Sequence, residues 1–119
     1  MRFIRLELAR TDEFPEGSHN HGYELTAPVD AQGRLDVKKW RQGRGRSTVR
    51  RFWQGEDDEF GDLIKTRDGW AFSYAPGEED DEAIYRLESH VFAEGSYFSV
   101  TEHDGKTRPF KVVSSTLIK

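Results

Sequence analysis

The chain has 119 residues, 34% of them apolar and 13% aromatic, no cysteine, and a formal charge of −4 at pH 7. Such a length suits one domain, residues 1–119, with a core that needs no staple. The lack of cysteine excludes disulfides, thiolate zinc sites and cysteine nucleophiles, and fits a cytoplasmic setting. The net negative charge argues against a general polyanion binder.

In chain order, residues 2–9 alternate Ile4, Leu6 and Leu8 against Phe3, Arg5 and Glu7, which predicts a half-buried strand. The opening residues interleave charge with apolar side chains, so no secretory signal is expected, and no stretch approaches the ~20 apolar residues of a membrane helix. Residues 10–20 read as a loop, then Tyr23, Leu25 and Ala27 alternate inward in a second strand over 21–27. Asp36 is placed to cap a short helix that docks Val37 and Trp40 and stops at Gly43. Gly43 and Gly45 predict a flexible link before a strand over 47–53, where Val49, Arg51 and Trp53 share one face.

Residues 60–66 and 70–75 flank Arg67-Asp68-Gly69, a hairpin connection. Residues 78–82 read as a solvated acidic loop. Residues 83–92 carry both helical and alternating spacing and are read as a strand, for their β-branched and aromatic content. Residues 97–103 and 107–113 flank Asp104-Gly105, the strongest turn signal in the chain, with Phe110 and Val112 inward and Pro109 suggesting an edge. A tail from residue 114 is expected to fray. Trp70, Phe72, Tyr74, Tyr97 and Phe98 are assigned to the core. These elements make an all-β, mainly antiparallel barrel-like or sandwich domain of about seven strands with one short helix.

The HGYEL strand, the GWAFSY strand and the EHDG hairpin resemble those of a group of small bacterial proteins of unknown function, over most of the chain. That resemblance implies no activity.

Three constellations carry chemistry. Residues 34–51 hold eight bases and one acid, and two clusters downstream, 56–59 with Asp62 and 78–82, hold ten acids. Trp40, Arg41, Arg44, Arg46, Arg50 and Arg51 are therefore candidates for an anion or partner site. Guanidinium groups spaced through glycines can clamp a phosphate, and Trp40 and Phe52 can stack on a base. The competing reading pairs Arg50 and Arg51 with the acidic clusters, and the excess of acid favours it. Second, His19 and His21 point the same way if they lie on a strand, and with Glu24 they resemble the first metal motif of the cupins. That resemblance implies a metal-dependent enzyme completed by His90 or His103, but the glycine–proline–glycine before the last cupin histidine is absent. Third, the acidic clusters lack EF-hand spacing, and no acid lies in an apolar stretch as glycoside hydrolysis requires. No nucleophile elbow, phosphate loop or dinucleotide fingerprint exists, so neither a cofactor nor catalysis is implied. The expectation is a binding domain for a protein partner or its own copy. Nucleic acid is the less favoured partner, and no membrane is expected.

Overall fold

The computed structural model describes residues 1–43, 47–74 and 80–118. Its strands are β1 (Arg2–Leu8), β2 (Ser18–Ala27), β3 (Thr48–Trp53), β4 (Glu59–Lys65), β5 (Trp70–Ser73), β6 (Glu82–Ile84), β7 (Tyr97–Thr101) and β8 (Thr107–Leu117). A helix, α1 (Val37–Gln42), precedes β3, and a single 3-10 turn (Leu87–Ser89) follows β6. Each strand pairs antiparallel with its sequence neighbour, and β8 closes on β1, giving an eight-stranded up-and-down barrel. Closure leaves no sheet edge, and eight strands enclose a space that side chains can fill.

The predicted alternation sets the interior. Ile4, Leu6, Leu8, Tyr23, Leu25, Ala27, Phe110 and Val112 are all at most 3% exposed. Connections alternate between the two ends of the barrel. One end, with the β2–β3, β4–β5 and β6–β7 connections, is plugged by apolar side chains. Asp36 caps α1 by accepting from the Lys39 N–H at 3.0 Å, Gly43 ends it, and Val37 and Trp40 pack on the core. Leu35, Leu87 and Phe92 are buried there, with Phe92 stacked on Phe98 at 4.8 Å. Gly33 has φ +84 and its added Cβ would lie 2.7 Å from Val91 Cγ1, so this turn needs glycine to meet the β6–β7 connection.

Several expectations are corrected. Residues 83–92 are not a strand. β6 stops at Ile84, Arg86 turns left-handed at φ 47, and the chain then drops Leu87 and Phe92 into the plug. Burying those two side chains outweighs extending a ladder whose last bond is Tyr85 N–H to the Ser99 carbonyl. The segment from residue 114 does not fray, because Arg2 to Arg5 pair with it and Arg2 donates to the Ser115 hydroxyl at 2.8 Å. β2 begins at Ser18, inside the predicted loop. Pro109 lies in a strand paired on both sides, and its carbonyl accepts from Ala9 past the end of β1, where the missing donor costs least. Tyr97 is 54% exposed because its neighbour Phe98 takes the inward position. The predicted link at residues 44–46 lies outside the described residues.

Candidate functional site

At the other end of the barrel, the mouth, the inward positions carry charge. Register explains which ones. Arg51 pairs with Tyr23, Glu82 with Phe72, and Arg108 with Val100, so each shares the inward face of its partner. Glu102 is the next inward position after Phe98 and Val100. Glu82 is fully buried, and Glu102, Arg51 and Arg108 are 2%, 4% and 7% exposed.

Glu102 is the hub. One of its carboxylate oxygens accepts from Arg108 at 2.6 Å, and the other from the Tyr23 hydroxyl at 2.7 Å with Arg51 Nη2 at 3.2 Å. Glu82 Oε1 meets the Tyr74 hydroxyl at 2.7 Å and the Tyr23 hydroxyl at 2.9 Å. Its Oε2 accepts from the His103 backbone at 3.0 Å and lies 2.9 Å from His103 Nδ1. Arg51 reaches out to Glu56 at 3.2 Å, and Arg108 to Asp104 at 2.9 Å and Glu13 at 3.3 Å. Each of the mouth connections thus sends a carboxylate or hydroxyl to the same buried layer. Such pairs contribute little net stability against an apolar core, but stranding one charge by removing its partner is costly.

The electrostatics follow from burial and neighbours. Burial pushes the Glu82 carboxyl above the ordinary range, against the hydrogen bonds from Tyr74 and His103. Burial, then Glu82 and Glu102, push the Tyr23 phenol well up. Burial pulls the Arg51 and Arg108 guanidinium groups down, but their carboxylate partners more than offset it and both shift upward. A roof covers the layer. Phe14, from the β1–β2 connection, packs on the His21 ring at 4.6 Å, and His21 meets the Trp53 ring edge-on at 4.4 Å. Arg51 and Arg108 lie over Trp53 at 4.4 and 5.4 Å. Burial, then Arg51, lower the pKa of His21, whose Nδ1 is 2.6 Å from the Ser18 hydroxyl.

The four described basic-segment candidates, Trp40, Arg41, Arg50 and Arg51, do not converge. Trp40 is an anchor: its indole N–H donates to the Leu63 carbonyl at 3.0 Å, and its ring meets Trp70 in a T-shaped contact at 4.7 Å. Arg41 is exposed on α1 at the plugged end. Arg44 and Arg46 lie outside the described residues. Arg50 is on the outer surface, bonded to Glu24 and, at 2.6 Å, to Asp58. It stacks with Arg5 on Phe52, which itself sits over Gly22, where a Cβ would overlap the Leu6 carbonyl. Arg51 points inward. The acidic clusters therefore do meet Arg50 and Arg51: Arg50 meets Asp58 on the outer surface, while Arg51 meets Glu82 inside the barrel and Glu56 at its rim.

The histidine pair is also separated. The β1–β2 register slips between Glu7 and Leu8, which pair with Gly22 and Ser18, so residues 19–21 bulge and do not alternate regularly. His19 is exposed, His21 is buried under Phe14, and Glu24 faces outward between Arg5 and Arg50. Among the described residues no group of three or more such side chains is arranged to hold a metal ion. Glu82 overturns the reading of 78–82 as a wholly solvated run, and Glu82 and Glu102 are buried by the fold although neither lies in an apolar stretch of sequence.

Tyr23, Tyr74, Glu82, Glu102, His103 and Arg108 were not read as one site. The usable signal was parity: Phe98-Val100-Glu102 and Arg108-Phe110-Val112 each carry the inward pattern one step into a charge. The fold is thus a closed antiparallel eight-stranded barrel with a charged, roofed mouth. No family model, curated protein or solved structure matches the chain. Among the described residues no helix is long and apolar enough to cross a membrane.

Proposed function

We propose that this protein is a binding domain that meets a basic partner surface with the acidic rim of its barrel mouth. The observation that carries this reading is the division of exposed charge between the two ends. Glu13 and Glu16 on the β1–β2 connection, Glu56, Asp57 and Asp58 on the β3–β4 turn, and Asp80 and Asp104 crowd the mouth with few bases. Lys38, Lys39 and Arg41 stand on α1 at the opposite end, with Arg67 and Arg86. Among the described residues, two mouth oxygens, Glu59 Oε2 and Asp81 Oδ1, are shielded from water and meet no hydrogen-bond donor. A carboxylate in that condition is stabilised by a donor brought from outside.

The partner is a protein surface rich in lysine or arginine, and a second copy presenting its α1 end is the self-association version of the same contact. Binding and not catalysis is favoured because Glu82 and Glu102 spend their oxygens on protein groups. The cytoplasm, with its reducing conditions, is the proposed setting for a chain without cysteine. Titration with a lysine-rich peptide at low and high salt tests the reading. Binding at low salt that weakens with salt and is abolished by Asp57→Lys with Asp58→Lys is expected. No binding at low salt, or binding indifferent to that reversal, contradicts it.

A further inference from the structure

The buried layer holds a shortage of protons. Tyr23 has one hydroxyl proton, yet its oxygen lies 2.7 Å from Glu102 Oε2 and 2.9 Å from Glu82 Oε1. A phenol donates one hydrogen bond, and an ionised carboxylate donates none. With both glutamates ionised, one of these contacts sets lone pair against lone pair in a region shielded from water. Tyr74 does not relieve it, because its own proton is already directed at the same Glu82 Oε1 at 2.7 Å.

The nearby guanidinium groups give their hydrogen bonds to other carboxylates, and the contacts of Arg51 and His103 with Glu82 fall on its Oε2, not on the Oε1 that meets Tyr23. Arg51 and Arg108 between them serve Glu13, Glu56, Glu102 and Asp104. Arg51 Nε stands 3.6 Å from Glu82 Oε2, an ion-pair contact beyond hydrogen-bond range. Among the described residues, the groups that face Glu82 are Tyr23 from β2, Arg51 from β3, Tyr74 following β5, and Glu102 and His103 following β7. Glu59 at the start of β4 lies beyond His103, 4.0 Å from its Nδ1, and Arg108 of β8 acts through Glu102.

We propose that Glu82 is a neutral carboxylic acid in the folded protein at neutral pH and closes a proton chain across the mouth. Tyr74 donates to Glu82 Oε1, Glu82 donates its proton to the Tyr23 oxygen, and Tyr23 donates to Glu102, which also accepts from Arg51 and Arg108. Every short contact then has one proton. The chain ties β2 to the ends of the β5–β6 and β7–β8 connections, so losing the Glu82 proton loosens the mouth, and the barrel carries a pH-sensitive latch there. The upward push of burial on the Glu82 carboxyl acts in the same direction. A carboxyl whose folded pKa lies above its unfolded value contributes stability that is full in acid. That contribution fades as pH rises through the folded value. The latch belongs to the buried layer and is independent of what the rim binds.

Infrared spectroscopy of the whole protein in heavy water at neutral pH, with glutamate labelled by carbon-13, reads the proton directly. One label-sensitive protonated-carboxyl band is expected, and its absence overturns the proposal. Thermal unfolding of Glu82→Gln against the wild type gives the second reading. The variant is expected to match the wild type in mild acid and to exceed its Tm increasingly as pH rises. A deficit that grows with pH would show Glu82 acting as an anion for Arg51 and would overturn the proposal. If the variant does not fold, the infrared result on the wild type decides.

Discussion

The two ends of this barrel are closed by opposite means. At one end α1, Leu35, Leu87 and Phe92 form an apolar plug whose polar needs are met locally, among them by an N-cap at Asp36 and indole bonds from Trp40 to the Leu63 carbonyl and from Trp70 to Glu88. At the other end Arg51, Arg108, Glu82 and Glu102 lie in the same barrel interior and depend on one another through hydrogen bonds of 2.6–3.2 Å and the shared Tyr23. An apolar plug tolerates the loss of one member in proportion to the volume removed. A charged layer fails as a unit, because each group's desolvation is offset only by its partners. The comparison teaches that burial alone does not distinguish the ends; dependence on pH and on partner identity does.

The largest effect is expected from Glu102→Ala, which removes the one buried carboxylate that Arg51 and Arg108 share and should cost about 3 kcal/mol in denaturant unfolding. Replacing Glu102 by Leu together with Arg108→Met should recover part of that loss, since fewer charges are left unpaired. Leu87→Ala at the plugged end should cost about 2–5 kcal/mol and allow no such rescue, since the loss is volume and not charge. Equal rescue at both ends, or none at either, would erase the distinction.

A smaller, pH-dependent effect is expected at the roof. His21 has a folded pKa below its ordinary value of 6.5 because it is buried and faces Arg51. The unfolded chain therefore takes up the proton first as pH falls. Stability should decline below the ordinary histidine value, down through the folded one, and His21→Asn should remove that decline. Tm measured across this range for both proteins checks it. A decline that persists undiminished in His21→Asn would assign the acid sensitivity elsewhere.

The smallest effects belong to features local to each end. Asp36→Ala removes the α1 cap and should cost about 1 kcal/mol, with little dependence on salt. Asp58→Asn removes an exposed partner of Arg50 and should cost under about 1 kcal/mol, an effect that added salt shrinks further. Denaturant midpoints at two salt concentrations separate the two cases.

How much of this was legible follows from the same contrast. The strands of Ile4-Leu6-Leu8 and Tyr23-Leu25-Ala27, the Asp36 cap and the Asp104-Gly105 turn were readable because apolar alternation and turn chemistry are local signals. The charged layer was not, because an inward charge looks like a solvated one until its partners are known. Arg51 meets Glu82 and Glu102 only once β3 and the β5–β8 strands curl into one barrel. Strand alternation already parts Arg50 from Arg51, but sequence order sets both beside the acids that follow them, and only the closed barrel decides which carboxylates each one meets. Residues 83–92 misled for a related reason: their β-rich composition is used to plug an end, and only the closed fold supplies that demand.

The most direct test of the functional reading is where a basic ligand lands. Backbone amide shifts should be mapped by NMR while a lysine-rich peptide is titrated at low salt. The account predicts that shifts concentrate in the β1–β2, β3–β4 and β7–β8 connections around Glu13, Asp57 and Asp104, leaving α1 unmoved. Shifts centred on α1, or none at any peptide concentration, would contradict it.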